Sequence, residues 1–122
     1  MASALDIIHE YYAVFSTLDL KAISGYFTEP CFSTSCQGVF SAADRTALEQ
    51  ALTPMVEGLR AKGYARSEFA DPEVTDLSGS AALVRGVAVR YLSSGEVMER
   101  IPIAYLMHRG PAGWKIAAMV LP

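Results

Sequence analysis

Ala82-Leu-Val-Arg-Gly-Val-Ala-Val-Arg-Tyr-Leu92, Ser93-Ser-Gly95 and then Val97-Met-Glu-Arg-Ile-Pro-Ile-Ala-Tyr-Leu-Met-His-Arg109 is the stretch that decides the fold. Val, Ile, Leu and aromatic residues fill both long runs, and small turn residues separate them. A third run, Trp114–Leu121, follows Gly110-Pro111-Ala112-Gly113. The pattern predicts three consecutive antiparallel strands. Such a meander must bury one face, and the helical patterns upstream are the cover available to it.

Ser93-Ser94-Gly95 sets which side chains share a face. Gly in third place suits a three-residue loop, a type I turn closed by a left-handed residue. That register groups Arg85, Val87, Val89 and Tyr91 with Val97, Glu99, Ile101, Ile103, Tyr105 and Met107. The small residues Ala82, Gly86 and Ala88 then share the other face with Ala104, Leu106 and His108. A two-residue turn would slip the pairing by one and set Arg90 opposite Glu99. The three-residue loop is preferred because it leaves the more continuous apolar face.

Working outward, the 122 residues bound the chain to one domain, residues 1–122, large enough to bury about two thirds of its unfolded surface. The hydrophobic share of 52% leaves room for an apolar pocket, a subunit interface or both. The net charge of −3, with no basic cluster, argues against a nucleic-acid partner. No apolar run has the roughly 20 residues a bilayer span requires, so no membrane is expected. Asp6 and Glu10 stand where a secretory leader would be basic, which predicts a cytoplasmic protein. Cys31 and Cys36, five residues apart in an extended run, would lie about 16 Å apart and point to opposite faces, so they are read as free thiols.

Ser3–Thr17 reads as an amphipathic helix with Leu5, Ile8, Tyr11, Tyr12 and Phe15 on its apolar stripe and His9 on the polar side. A core-facing tyrosine needs a partner for its hydroxyl, either a neighbour or a ligand. Asp19 caps a short helix running through Ile23 to Phe27, and Pro30 stops it. Cys31–Gln37 reads as a strand, which Gly38 turns. Ser41-Ala42-Ala43-Asp44 resembles a capping box opening a helix toward Lys62, with Gly63 as its stop. Pro54 should bend or divide that helix, with Thr53 as a second cap. The bent helix would then lay Met55 and Leu59 over the sheet. Tyr64–Asp71 is a further strand, ended or bulged at Asp71-Pro72.

Three pieces carry a family resemblance: Tyr11-Tyr12 followed by Leu18-Asp-Leu-Lys-Ala-Ile23, then Tyr26-Phe27, then His108-Arg-Gly-Pro-Ala-Gly-Trp-Lys-Ile116. In this order of elements the chain resembles the nuclear transport factor two-like superfamily, which includes SnoaL-like polyketide cyclases, ketosteroid isomerase, scytalone dehydratase and a kinase association domain. The resemblance implies an α+β cone, a curved antiparallel sheet wrapped around a long bent helix with two further N-terminal helices. It also implies dimerisation through the outer sheet face. The isomerase's catalytic set does not carry over. Tyr11 matches its oxyanion tyrosine, but Ser35 falls at the position of the base, and the protonated acid falls near Ala104 or Tyr105. His108 sits on the predicted outer face, which removes the interior histidine a scytalone-type dehydratase needs. Similarity to the association domain places Arg85 and Tyr105 at its cavity arginines.

An arginine on an apolar strand face implies a partner: an internal carboxylate such as Glu99, Glu68 or Asp71, a ligand anion, or a place at the rim. An inward Glu99 would have a raised pKa and would be the best acid–base group, with Tyr11 beside it. Tyr12, Phe15, Met55, Leu59, Arg85, Tyr91, Ile103 and Tyr105 complete the expected ligand site. No Ser-His-Asp arrangement, phosphate loop or metal cluster is visible, so neither metal nor cofactor is expected. Two functions follow. One is binding of a hydrophobic small molecule, with cofactor-free isomerase, cyclase or (de)hydratase chemistry. The other is a non-catalytic dimerisation or accessory domain that forms a homodimer through the outer face of the sheet.

Overall fold

In the computed structural model, which describes residues 2–122, six strands form one mixed sheet with three helices. The helices are α1 (Ala4–Phe15), α2 (Leu20–Ser24) and α3 (Arg45–Ala61). The strands are β1 (Phe27–Ser35), β2 (Gly38–Ala42), β3 (Tyr64–Ser78), β4 (Ala81–Leu92), β5 (Val97–Gly110) and β6 (Gly113–Val120), in spatial order β2-β1-β6-β5-β4-β3. The sheet is antiparallel except between β1 and β6, which run parallel. That pair joins the two sequence halves and corrects the all-antiparallel expectation. Residues Gly38–Ala42, read as turn and helix start, form their own short strand against β1. No helix among the described residues is long and apolar enough to cross a membrane.

Ser3 caps α1 and accepts from the Asp6 N–H while the Asp6 carboxylate accepts from the Ser3 N–H, a reciprocal pair that satisfies two otherwise orphaned donors. Ile8, Tyr11, Tyr12 and Phe15 are buried along one stripe of the helix, as their spacing predicts. Asp19 caps α2 through the amides of Lys21 and Ala22. The cap of α3 is Asp44, which accepts from the Ala47 N–H, rather than Ser41. The helix passes through Pro54 as one span, and Gly63 follows its end at φ 82°.

The helix packed against β3, β4 and β6 is α1, not the longer α3. This corrects the expectation that the sheet is wrapped around α3. Instead α3 lies against α2 and the edge strands β2 and β3, contributing Leu48, Val56 and Leu59 to the core. The aromatic stripe of α1 explains the choice: it brings four large buried side chains to the sheet.

The register of β4 and β5 carries the main correction. The Ser93-Ser94-Gly95 loop forms as predicted: the Gly95 N–H donates to Leu92 O (2.9 Å), the Leu92 N–H to Glu96 O (2.8 Å), and Gly95 has φ 92°. Tyr91 then pairs with Val97, but Arg90 pairs with Glu99. Met98 is thus an extra residue in β5, a bulge one step beyond the turn. From there on every partner is shifted by one, so Val84 faces Tyr105, Gly86 faces Ile103 and Arg85 faces Ala104. The inner face therefore combines Ala82, Val84, Gly86 and Ala88 with Ile101, Ile103, Tyr105 and Met107.

The physical reason is plain on both faces. Without the bulge, Arg85 would lie under the helix as a buried charge. With it, Gly86 faces inward, where a Cβ would come within 2.5 Å of Phe69 Cζ and 2.8 Å of the Ala70 carbonyl oxygen. The absent side chain lets the Phe69 ring lie against the sheet and reach Tyr12 and Tyr105 at centroid distances of 5.1 and 5.9 Å. The small residues expected to receive a partner sheet are thus used inside. At Asp71, φ 52° marks a second bulge, which lets β3 continue past Pro72.

Candidate functional site

A pocket of about 40 Å³ lies inside the sheet, beneath α1. Tyr12 and Phe15 of α1, Ser67 of β3, Ala88 and Arg90 of β4, Ile101, Ile103 and Tyr105 of β5 and Leu121 line it. A water needs roughly 10–15 Å³, so about three or four fit. A surface depression of about 480 Å³ between Asp71, Glu73, Arg85, Pro102 and Val120 is a shallow groove on the other face. We place the candidate site at the smaller, inner pocket because the polar groups of the core converge there.

The Tyr12 and Tyr105 hydroxyls are 2.7 Å apart and buried. Either can donate, and one proton is enough to make the bond. The accepting hydroxyl keeps a second proton for another partner, and both residues border the pocket. Burial pushes Tyr12 up to about 12 and holds Tyr105 well above the ordinary tyrosine value. The shared bond favours ionisation of the acceptor and opposes it in the donor. Burial outweighs this, so both are neutral acids. Tyr12 is held in place by its backbone: the Ser16 hydroxyl donates to Tyr12 O (2.8 Å) and accepts from the Ser67 N–H (2.9 Å), which ties the end of α1 to β3.

At the rim, Arg90 donates through Nη1 to Glu99 Oε1 at 2.6 Å. Its Nη2 meets the Met55 sulfur at 3.9 Å, and its guanidinium lies 5.6 Å from the Phe15 ring centroid. The Arg90 side chain is 18% exposed and that of Glu99 42%. The pair therefore spans from the pocket wall to solvent. The Arg90 charge lowers the Tyr12 and Tyr105 values somewhat, against the larger effect of burial.

The structure brings Tyr12, Phe15, Ile103 and Tyr105 together around this pocket and sets Met55 against Arg90. Tyr11 is elsewhere: its ring is packed among those of Tyr12, Phe15, Tyr26, Phe27 and Tyr105, and burial drives its pKa up. It belongs to the aromatic core and does not border the pocket. Leu59 is likewise core. Arg85 lies on the outer face, paired with Glu73 at 2.7 Å, and Tyr91 stacks there under the Arg66 guanidinium at 4.1 Å. Both depart from the expected site because of the Met98 bulge. Glu99 reaches the rim, but its carboxylate is engaged by Arg90 and is not an isolated buried acid. Arg90 is missing from the expected site; its pairing with Glu99 in the alternative register is the signal that points to it. Among the described residues no cluster of His, Cys, Asp or Glu is arranged to hold a metal ion.

A family model described as NTF2-like protein (DUF6841) matches residues 2–122. The chain belongs to this family. The NTF2-like fold recurs in solved structures of low sequence identity. An NTF2-like protein with a cystatin-like fold from Novosphingobium aromaticivorans superposes with a TM-score of 0.76 at 22% identity, covering 95% of this chain and 76% of that one. Aln2 from a Streptomyces species gives 0.77 at 11% identity, covering 96% and 85%. A single-residue variant of Rv3472 from Mycobacterium tuberculosis, described as a function unknown protein, gives 0.74 at 20% identity, covering 97% and 72%. At these identities the likeness concerns the fold. No curated protein matches the chain.

Proposed function

We propose that this NTF2-like protein binds a compact hydrophobic molecule inside its sheet and receives that molecule's carbonyl oxygen at the Tyr12–Tyr105 hydroxyl pair. The observation that carries this reading is the 2.7 Å hydroxyl contact between two tyrosines that line a pocket otherwise bounded mainly by apolar groups. A spare buried O–H beside apolar walls favours an acceptor on the ligand, because an unmet donor in such a place is costly. The pocket at rest is water-sized, so a ligand enters by displacing Arg90 and Met55, two long flexible side chains at its rim. Two neutral tyrosines suit stabilisation of an enolate-like oxyanion. Cofactor-free isomerase, cyclase or (de)hydratase chemistry fits that donor set, with Glu99 as the carboxylate at hand for proton transfer.

A second reading rests on the outer face, where Phe32, Leu106 and Val120 are 48%, 37% and 45% exposed. Phe32 and Leu106 both pair with Ala118, making an apolar band across β1, β6 and β5. This band supports a homodimer and is compatible with an occupied interior. Titration with a panel of small branched ketones, amides and lactones, observed by NMR, tests the first reading. Saturable binding that Tyr105→Phe weakens about tenfold, the loss of one hydrogen bond of roughly 1.4 kcal/mol, is expected. A silent panel, or binding indifferent to Tyr105, contradicts it. Sedimentation tests the second: a mass of 13.2 kDa alone would count against the dimer.

A further inference from the structure

We propose that the Arg90–Glu99 pair is an exchangeable latch and that the interior selects a small carboxylate, whose anion takes the place of Glu99 on Arg90. This rests on the interior reading above and names the charge class of the ligand. Three observations carry it. Arg90 borders the same pocket as Tyr12 and Tyr105, so the charge and the spare hydroxyl proton converge on one space. The guanidinium has five N–H groups and commits one short bond to Glu99 and one long contact to a thioether sulfur. Bidentate capture of a carboxylate is therefore open to it.

The two partners also differ in exposure. Glu99, at 42%, is already wet and rehydrates at small cost when released. Arg90, at 18%, is largely withdrawn from water and requires an anion in exchange. An incoming carboxylate supplies that anion, places its hydrocarbon against Phe15, Ile101 and Ile103, and frees the Glu99 carboxylate. A neutral carbonyl supplies no replacement charge, so the displacement of Arg90 that admits it leaves the guanidinium without an anion unless Glu99 moves with it. The resting ion pair thus acts against neutral ligands of the same shape.

Isovalerate and isovaleramide share a carbon skeleton and differ in charge, so calorimetric titration of the full chain at neutral pH with each separates the possibilities. The carboxylate is expected to bind about tenfold or more tightly than the amide, as one engaged charge pair warrants. Glu99→Gln should tighten isovalerate and leave the amide within about twofold. Arg90→Met should lose the carboxylate preference, and Arg90→Lys, which keeps the charge, should retain part of it and report on folding. Binding of the amide but not the carboxylate, or a Glu99→Gln protein that binds isovalerate more weakly, overturns the latch while leaving the interior reading standing. Failure of both probes and of the neutral panel overturns both.

Discussion

Strand β4 carries two arginines five residues apart, each paired with a glutamate, and they do different things. Arg85 meets Glu73 on the outer face with side chains 57% and 68% exposed. Arg90 meets Glu99 at 18% and 42%, on the rim of the inner pocket. The bond lengths, 2.7 and 2.6 Å, hardly differ. Solvent separates them: water screens the first pair and already satisfies both its charges, whereas the second pair sits where one charge has little water. An arginine on this strand is informative about function only once its face is known.

The largest test of the inner face is alkaline pH. Tyr12 ionises near 12 in the fold but near 10 once unfolded, and Tyr11 and Tyr105 are raised as well. Between those values the unfolded chain binds fewer protons than the native one, so stability falls as pH rises. For Tyr12 the difference is worth up to about 2–3 kcal/mol. The contribution is complete below pH 10 and lost through pH 12. Absorbance titration at alkaline pH should show these tyrosines ionising together with loss of near-ultraviolet circular dichroism. Smooth ionisation with the fold intact would contradict their burial.

Gly86→Val comes next. Its Cβ would strike the Phe69 ring and, less forgivingly, the Ala70 carbonyl. Overpacking of this kind costs roughly 1–3 kcal/mol, read from the urea midpoint. If Gly86 faced outward, the change would be nearly neutral. Tyr105→Phe should cost about 1–2 kcal/mol by leaving the Tyr12 hydroxyl buried and unpaired. Tyr12→Phe in the same protein should then add less than it does alone, a coupling that a double-mutant cycle measures. Smallest is Arg85→Leu, expected within about 0.5 kcal/mol of the parent and without effect on ligand binding. A loss of binding in that variant would move the site to the outer face.

Much of this arrangement is legible in the residues. The α1 stripe, the meander, the Ser93–Gly95 loop and the stop at Gly63 each rest on local chemistry: helical spacing, strand composition and left-handed glycines. The Met98 bulge has no such mark, since neither Val97 nor Met98 is a residue that turns require. That one insertion moves Arg85 and Tyr91 out and leaves Tyr105 in, so residue spacing alone puts the wrong arginine in the site. The parallel pairing of β1 with β6 and the seating of α1 rather than α3 on the sheet depend on contacts far apart in sequence, which spacing cannot report.

The most direct test of an interior carbonyl site follows from its location. NMR with ring-labelled tyrosine and phenylalanine, in the presence of the panel member that binds best, should give nuclear Overhauser contacts from the probe to Tyr105 and Phe15 and none to Tyr91. Contacts to Tyr91 on the outer face, with the Tyr105 ring unaffected, would contradict the account.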